Sequence, residues 1–349
     1  MLSSFFTNFS FLKGSDIAID LGTANTLIWV KNEGIVLNEP SVIAKDTVND
    51  SVLAVGLEAK KMLGRNPSGI IVERPLKDGV ISDLDLATEM LQTFIKKINI
   101  GRFTRPRIVI CIPSSCSSLE QRAVKEAAEN SSAKEVYLIT EPMAAAIGLG
   151  IDVSSSTGHM IVDIGGGTTE IAVIALNGVV SLKAIRMAGD KQTTSIKDWL
   201  HDNHQLQIGI KMAEKIKEEA GSALVQHRSQ ERINIEVTGK SVMDGIPKTI
   251  SISKDEITKA LSTSVSQISD AIRQALDQTP AEHAVDIKEN GIILTGGGAL
   301  LDGLDIYIRN RTNLPVFISE DPLLAIVKGT GVVISDVKKY TKDKILIMV

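Results

Sequence analysis

A glycine-rich segment near the middle of the chain combines residue types that bind anions. Residues 159–173 read HMIVDIGGGTTEIAV, so an apolar run ends in Asp163 and three glycines and two threonines follow before apolar residues return. This pattern predicts a β-hairpin with a glycine-rich turn. Glycine lets the backbone approach a ligand, and successive turn N–H groups form an anion-sized concavity. The segment predicts a phosphate-binding turn, with Asp163 placed to hold a hydrated Mg²⁺; a tight turn without a ligand is the alternative.

The same pattern occurs a second time near the start of the chain. Residues 16–30 read DIAIDLGTANTLIWV, in which Asp20 lies 143 positions before Asp163. The first turn (residues 22–25) and the second turn (residues 165–168) contain, in order, Gly22, Thr23, Ala24 and Asn25, and Gly165, Gly166, Gly167 and Thr168. A second pair of segments is also similar: the predicted strand 137–140 leads into a helix at Glu141, and the predicted strand 292–295 leads into a helix after a glycine turn. Such repetition predicts two related lobes, each presenting a hairpin and a strand-to-helix turn to a shared cleft.

Composition narrows the function classes. A length of 349 residues suits two domains, and a formal net charge of −4 provides no global attraction to nucleic acid. Cys111 lies in a strand-like run and Cys116 is close by, which favours free thiols over a disulfide framework or a metal site. The chain contains no run of 18 apolar residues, so we expect no bilayer-spanning segment.

The first residues of the chain have an unusual aromatic content. Four of the seven phenylalanines fall within residues 1–11. At helical spacing one face carries Leu2, Phe5, Phe6, Phe9 and Leu12. Such an amphipathic stretch can lie in a membrane interface, and the basic loop 101–107, with Phe103 at its tip, predicts a second lipid contact. The alternatives are a terminus docked on the protein's own core or a neighbouring subunit, and a solvated loop.

The pattern of strands and helices divides the chain. We expect a membrane-binding segment at 1–15, a first lobe at 16–157 and a second lobe at 158–334, separated by a serine-rich linker, with a tail at 335–349. Insertions are expected at about 33–75 and 190–250, and the last helix is expected to pack back toward the first lobe. Ser82 with Asp85, and Ser253 with Glu256, resemble capping boxes that open amphipathic helices.

Seven motifs together resemble the MreB family of bacterial actin homologues. They are DLGTANT (20–26), NEPSVIA (38–44), VGLEAK (55–60), RPLKDGVI (74–81), EPMAAAIG (141–148), VDIGGGTTE (162–170) and LTGGGALL (294–301). The glycine patterns alone mark only the wider superfamily of actins, chaperone ATPases and sugar kinases, whereas the long motifs are more specific. The resemblance implies an α/β actin-like ATPase fold, with two duplicated ribonuclease-H-like lobes and inserted subdomains around a nucleotide cleft.

The resemblance also implies a site for ATP with Mg²⁺. Both turns would hold phosphates, and Asp20 and Asp163 would hold the metal, mostly through water. The ATP-binding residues would also include two further segments, which are Gly296, Gly297, Gly298, Ala299 and Leu300 at the α-phosphate and adenosine side, and Glu214, Lys215, Ile216 and Lys217. Of the latter, Glu214 and Lys217 match positions that contact the ribose and base, although the residues alone would indicate a solvated helix face. Glu141 would orient the attacking water with Thr168 as its partner, and because neither is an exceptional base, hydrolysis should be slow.

The function implied is a cytoplasmic filament protein at the inner face of the cell membrane. It would assemble as antiparallel double filaments, contact lipid and membrane proteins of the cell-elongation machinery, and set rod shape. One alternative is a small-molecule kinase, which would need a substrate-binding insertion and a carboxylate base, and we find neither of these in the sequence. The other is a chaperone ATPase, which would need a substrate-binding domain after the nucleotide domain, and we do not find that domain in the sequence either. The chain departs from the family pattern at Thr140 and at residues 191–194, KQTT, where acidic residues and a methionine are usual.

Overall fold

The fold consists of two units of chain. The computed structural model describes residues 16–98, 105–131, 133–225 and 234–347. One unit comprises Met1–Val153 and Leu324–Val349, and the other comprises Ser154–Leu323. The division therefore falls four residues before the boundary expected from the serine-rich linker. The last two helices, which follow Leu323, belong to the first unit.

The regular elements of the described residues alternate between strands and helices. The strands are β1 (Ile17–Leu21), β2 (Asn25–Val30), β3 (Gly34–Pro40), β4 (Ile43–Asp46), β5 (Ser51–Val55), β6 (Ile70–Glu73), β7 (Leu76–Lys77), β8 (Val80–Ile81), β9 (Arg107–Ile112), β10 (Glu135–Thr140), β11 (His159–Ile164), β12 (Thr169–Ala175), β13 (Gly178–Ile185), β14 (Leu206–Gln207), β15 (Asn234–Ser241), β16 (Pro247–Ser253), β17 (Ile292–Thr295) and β18 (Val316–Ile318). The helices are α1 (Leu57–Met62), α2 (Leu84–Lys97), α3 (Ser118–Glu129), α4 (Glu141–Gly148), α5 (Gly189–His204), α6 (Ile210–Ala220), α7 (Lys254–Asp277), α8 (Ala281–Asn290), α9 (Leu304–Thr312), α10 (Ala325–Ser335) and α11 (Val337–Lys342).

A five-stranded sheet forms the centre of the first unit. Its order is β10-β9-β1-β2-β3, with β10, β9 and β1 parallel and β1, β2 and β3 antiparallel. Ile17 and Ile19 pack in one core with Met90 and Phe94 of α2, and α10 packs against β1 and β9. All five residues of β1 are buried, as expected for a strand covered on both faces.

The second unit repeats this sheet. Its order is β13-β12-β11-β17-β18, with β11, β17 and β18 parallel and β11, β12 and β13 antiparallel. The two hairpins share one register, because Asp20 pairs with Leu27 in the first and Asp163 pairs with Glu170 in the second. The duplication predicted from the offset of 143 residues therefore extends to sheet topology and strand register.

The predicted equivalence of strands 137–140 and 292–295 is wrong. Strand β17 pairs with β11 as β9 pairs with β1, so the counterpart of β17 is β9 and the counterpart of β10 is β18. The segment after β17 also differs from a helix start. One turn of 3₁₀ helix spans Gly297–Leu300, and α9 begins only at Leu304. Apolar strands that precede glycine or a helix look alike in sequence, and pairing alone distinguishes them.

Smaller sheets follow the third strand of each large sheet. In the first unit, β5-β4-β6 is accompanied by α1 and followed by the hairpin β7-β8. In the second unit, α5 follows β13, and β14-β15-β16 follows α5 together with α6. The first predicted insertion, 33–75, includes β3 of the large sheet and ends before β7, and the second, 190–250, begins inside α5 and ends inside β16.

Polar N-cap residues mark the starts of α7 and α2. Ser253 and Glu256 form the capping box expected at the start of α7. The expectation at Ser82 is wrong by one residue, because Asp83 is the N-cap of α2 and accepts from Leu86 N–H. Aspartate is as good an N-cap as serine, so the local sequence alone does not decide between the two neighbours.

Two helices of the first unit cross with their backbones in contact. A Cβ atom on Gly329 of α10 would overlap the carbonyl oxygen of Ala144 of α4, and one on Gly148 would overlap that of Ala325. Glycine is required at this crossing because even a methyl group would push the helices apart. This contact between the two helices fixes the position of α4 and therefore of Glu141, its first residue.

Candidate functional site

The first turn connects β1 to β2 through a close backbone approach. Asp20 is the fourth residue of β1, and Leu21 pairs with Thr26 at the end of the hairpin. A Cβ atom on Gly22 would lie 2.7 Å from the Asn25 carbonyl oxygen. This distance is too short for a side chain, so the turn keeps its shape only with glycine at this position.

Ser41, which follows β3, is bonded to the first turn. Its hydroxyl donates to the Gly22 carbonyl at 2.6 Å and lies 2.9 Å from the Thr26 hydroxyl. Its N–H donates to the Ala24 carbonyl at 3.0 Å. Ser41 lies inside the NEPSVIA motif, but its contact with the turn spans 19 residues and therefore could not be predicted from the local sequence.

The carboxyl group next to the first turn is buried. Asp20 is 8% exposed, and this burial raises the pKa of its carboxyl to about 7. Desolvation disfavours the charged form, so a cation or a set of N–H donors would be needed to stabilise the carboxylate at neutral pH. This requirement fits the predicted role of Asp20 in holding Mg²⁺.

The second turn has a hydrogen bond across it. The N–H of Gly165 donates to the carbonyl of Thr168 at 2.9 Å. Thr168 itself is buried. The hydroxyl of Thr169, the first residue of β12, donates to the Met187 carbonyl at 2.7 Å. The turn is therefore held both internally and by the segment that enters α5.

The start of α5 also holds the second turn. The N–H of Gly189 donates to the Gly165 carbonyl at 3.1 Å, and the N–H of Asp190 donates to the Gly166 carbonyl at 2.8 Å. The first N–H groups of a helix have no partner within the helix. Here two of them bind the carbonyl oxygens of the turn.

The glycine segment after β17 packs on the end of β11. Gly296 has φ of +79°, and a Cβ atom there would lie 2.6 Å from Asp163 Oδ1 and closer still to the Ile164 carbonyl oxygen. A Cβ atom on Gly298 would overlap the side chain of Ile164. Ala299 is buried, whereas Leu300 is exposed. The segment 296–298 and the buried carboxyl of Asp163 therefore lie together, as the ATP-site prediction requires.

The four residues predicted on α6 have different surroundings. Lys217 Nζ donates to the Gly189 carbonyl and to Thr193 Oγ1, both at 2.8 Å. Ile216 is buried in the core of the unit. Lys215 is exposed and pairs with Glu219 at 3.8 Å, while Glu214 lies on the same helix. Lys217 thus binds the start of α5, whose N–H groups in turn bind the second turn, whereas the Ile216 side chain packs among apolar residues.

Glu141 is the first residue of α4 and directly follows β10. It is 7% exposed, and its position in the first turn of a helix favours a negative charge. Thr140 is the N-cap residue but makes no capping hydrogen bond with its side chain. A buried carboxylate at a helix start suits the predicted role of orienting water.

The described residues provide no metal cage made only of protein groups. Within the four described ranges, no cluster of three or more histidine, cysteine, aspartate or glutamate residues could hold an ion. Mg²⁺ typically binds through one or two carboxylates together with waters and phosphate oxygens. Asp20 and Asp163 are each buried at the next-to-last position of their strand, and each carboxyl taken by itself suits that mode of binding.

The predicted membrane contacts lie outside the described residues. These positions are Leu2, Phe5, Phe6, Phe9, Leu12 and Phe103. In the part of the chain that the structure describes, every helix is too short or too polar to pass through a bilayer. The membrane contact stays a prediction.

Comparison with known proteins identifies the family. The family model described as "MreB/Mbl protein" matches residues 14–342. The cell shape-determining protein Mbl of Bacillus subtilis is 46% identical over 331 residues, which cover 95% of this chain and 98% of Mbl. The structure of MreB5 of Spiroplasma citri bound to ADP superposes with a TM-score of 0.88 at 34% identity, covering 94% of this chain and 98% of MreB5. A MamK double helical filament shares the fold at 22% identity, with a TM-score of 0.78 over 92% of this chain and 99% of MamK. The chain therefore has the actin-like fold and belongs to the MreB/Mbl family.

Proposed function

We propose that this chain binds and slowly hydrolyses ATP and polymerises into membrane-associated filaments that direct cell shape and cell-wall elongation. The observation that carries the proposal is the duplicated hairpin. Each copy places a buried aspartate before a turn. In each turn, two carbonyl oxygens accept hydrogen bonds from residues that follow the third strand of the large sheet. Related proteins support it, since Mbl is named cell shape-determining and the MreB5 structure contains ADP.

The turns act as phosphate-binding groups. Backbone N–H groups bind anions without a proton transfer and are already oriented before the ligand arrives. Phosphoryl transfer depends mainly on positioning and on neutralising charge. The first and second turns provide N–H donors, and Asp20 and Asp163 would hold Mg²⁺ mostly through water. The metal held there would neutralise charge on the phosphate oxygens.

Glu141 acts on the attacking water. Its carboxylate accepts a hydrogen bond from the water and turns a lone pair toward the terminal phosphate, with Thr168 as the second polar group. A glutamate is a weak base, so hydrolysis stays slow even with a contribution from Glu141 of about 100-fold. Slow turnover suits a protein in which hydrolysis limits the lifetime of a polymer.

Assembly and membrane contact complete the proposal. The chain self-associates into antiparallel double filaments, as its family resemblance implies, and the MamK filament supports polymer formation on this fold. Leu2, Phe5, Phe6, Phe9, Leu12 and Phe103 contact the lipid of the inner membrane face. Membrane proteins of the elongation machinery bind to the filament there.

Sedimentation with lipid vesicles tests this function. The purified protein and a variant lacking residues 1–12 are each centrifuged with Mg-ATP or Mg-ADP, with and without vesicles. We expect polymer to pellet with ATP in both proteins and vesicles to co-pellet only with the full chain. A full-length protein that neither pellets nor binds vesicles with any nucleotide contradicts the proposal.

A glycine pair provides the matched control for the nucleotide site. Gly22→Ala introduces a Cβ atom 2.7 Å from a backbone oxygen, whereas a Cβ atom on Gly209 would meet nothing within 4 Å. We expect Gly22→Ala to weaken ATP binding by about tenfold or more, as for the loss of one strong polar contact. Gly209→Ala should bind ATP like the wild type, and equal affinities for both variants would remove the first turn from the site.

A further inference from the structure

Ser41 makes two hydrogen bonds to carbonyl groups of the first turn. Its hydroxyl donates to the Gly22 carbonyl at 2.6 Å and its N–H donates to the Ala24 carbonyl at 3.0 Å. Both acceptors are therefore turned toward Ser41. Ser41 is fully buried, so water does not reach these bonds from the Ser41 side.

The direction of these carbonyls fixes the direction of two N–H groups. A trans peptide unit is planar, and its C=O and the following N–H point in opposite directions. Because the carbonyls of Gly22 and Ala24 point toward Ser41, the N–H groups of Thr23 and Asn25 point away from it. Ser41 thus orients two donors toward the side of the turn where an anion would be bound.

The hydroxyl groups around Ser41 form a directed chain. A hydroxyl has a single hydrogen to donate, and that of Ser41 is directed to Gly22. In the contact of 2.9 Å with Thr26, the Thr26 hydroxyl is therefore the donor. Thr26 is also fully buried, so the chain runs from Thr26 through Ser41 to the turn.

The second turn is oriented by the same principle with different groups. The N–H groups of Gly189 and Asp190 bind the carbonyls of Gly165 and Gly166. The N–H groups of Gly166 and Gly167 consequently point away from α5. In each unit, the chain that follows the third strand of the large sheet returns to hold the carbonyl oxygens of the turn.

We propose that Ser41 is a positioning residue of the nucleotide site, which orients the N–H groups of Thr23 and Asn25 toward the phosphates of ATP. This inference rests on the proposed ATP binding and deepens it. Ser41 does not contact the nucleotide; it acts through the backbone of the turn. It also links the turn to the small sheet β5-β4-β6, because Val42 and β4 follow it directly.

Substitution of the serine tests the inference through a ratio of two affinities. In Ser41→Ala the peptide between Gly22 and Thr23 loses its partner, and we expect Mg-ATP to bind about tenfold more weakly, which corresponds to about 1.4 kcal/mol. Adenosine lacks phosphates, so its affinity should stay within about twofold of the wild-type value. Calorimetric titration of both ligands measures the ratio. A purely structural role would lower both affinities together.

A buried serine elsewhere serves as the matched control. The Ser264 hydroxyl donates to the Leu261 carbonyl in α7 at 2.7 Å and is equally buried. Ser264→Ala should bind ATP and adenosine like the wild type. If Ser41→Ala binds ATP with wild-type affinity, or loses ATP and adenosine equally, the inference is overturned.

A second variant decides the case in which Ser41→Ala does not fold. Thr26→Val keeps the side-chain shape and removes only the hydroxyl that donates to Ser41. We expect ATP affinity to fall by about threefold without a change for adenosine, and an unchanged ATP affinity overturns the inference. A wild-type protein that fails to bind ATP would instead contradict the proposed function itself.

Discussion

Replacement of Asp20 by asparagine should stabilise the nucleotide-free protein while removing its metal-dependent function. Asp20 is 8% exposed, and burial raises the pKa of its carboxyl from 3.8 to about 7. A raised carboxyl pKa means that the folded state binds the proton more tightly than the unfolded chain does. The wild type therefore loses stability as pH rises from about 4 to about 7. The asparagine side chain has no carboxyl proton to lose, so the variant lacks this penalty.

The expected size follows from the difference in pKa. Each unit of pKa corresponds to about 1.4 kcal/mol, so ionisation of Asp20 costs the folded state about 4 kcal/mol above pH 7 and about 2 kcal/mol at pH 5. Between pH 5 and pH 8 the wild type should lose roughly 2–3 kcal/mol more of its unfolding free energy than Asp20→Asn does. The contributions of other titrating groups cancel in this comparison.

Urea unfolding of the nucleotide-free protein in EDTA measures the effect. The wild type and Asp20→Asn are unfolded at pH 5 and pH 8, with Asp198→Asn as the control because Asp198 is an exposed acid in α5. We expect Asp198→Asn to follow the wild type. Parallel pH dependences for the wild type and Asp20→Asn would refute the reasoning, because the buried carboxyl would then carry no penalty.

The remaining predictions concern catalysis and two glycine contacts. Glu141→Ala should reduce phosphate release by about 100-fold or more while ATP affinity stays within about twofold, and unchanged release would remove Glu141 from the mechanism. Gly296→Ala should lower the free energy of unfolding by about 3 kcal/mol because φ is +79° and the Cβ atom would meet the Ile164 carbonyl. Gly329→Ala should cost at least about 3 kcal/mol because its Cβ atom would overlap the Ala144 carbonyl. Both losses are measured by urea unfolding, and a value near zero contradicts the contact concerned.

The hairpins could be predicted from the sequence because their signals are local. A buried strand, an aspartate and a glycine turn fall within a few residues, and the offset between Asp20 and Asp163 reveals the second copy. Sheet topology and register follow the same duplication. Local signals of this kind identify the turn, although they do not show what holds it.

The features that could not be predicted depend on contacts between distant residues. Ser41 reaches Gly22 across 19 positions, and although it lies in the NEPSVIA motif, the local sequence does not indicate that its hydroxyl binds the first turn. The counterpart of β17 is decided by pairing with β11, which an apolar strand does not reveal on its own. Likewise, α10 belongs to the first unit because its glycine meets α4, a contact made across 185 positions, from Ala144 to Gly329.

A structure with a non-hydrolysable ATP analogue and Mg²⁺ tests the central claim most directly. The measurement is the distance from the phosphate oxygens to the backbone nitrogens of Thr23 and Asn25 in the first turn and of Gly166 and Gly167 in the second turn. We predict hydrogen-bond distances of about 2.7–3.2 Å to donors in both turns. A nucleotide whose phosphates contact the N–H groups of neither turn, or of only one, would contradict the account.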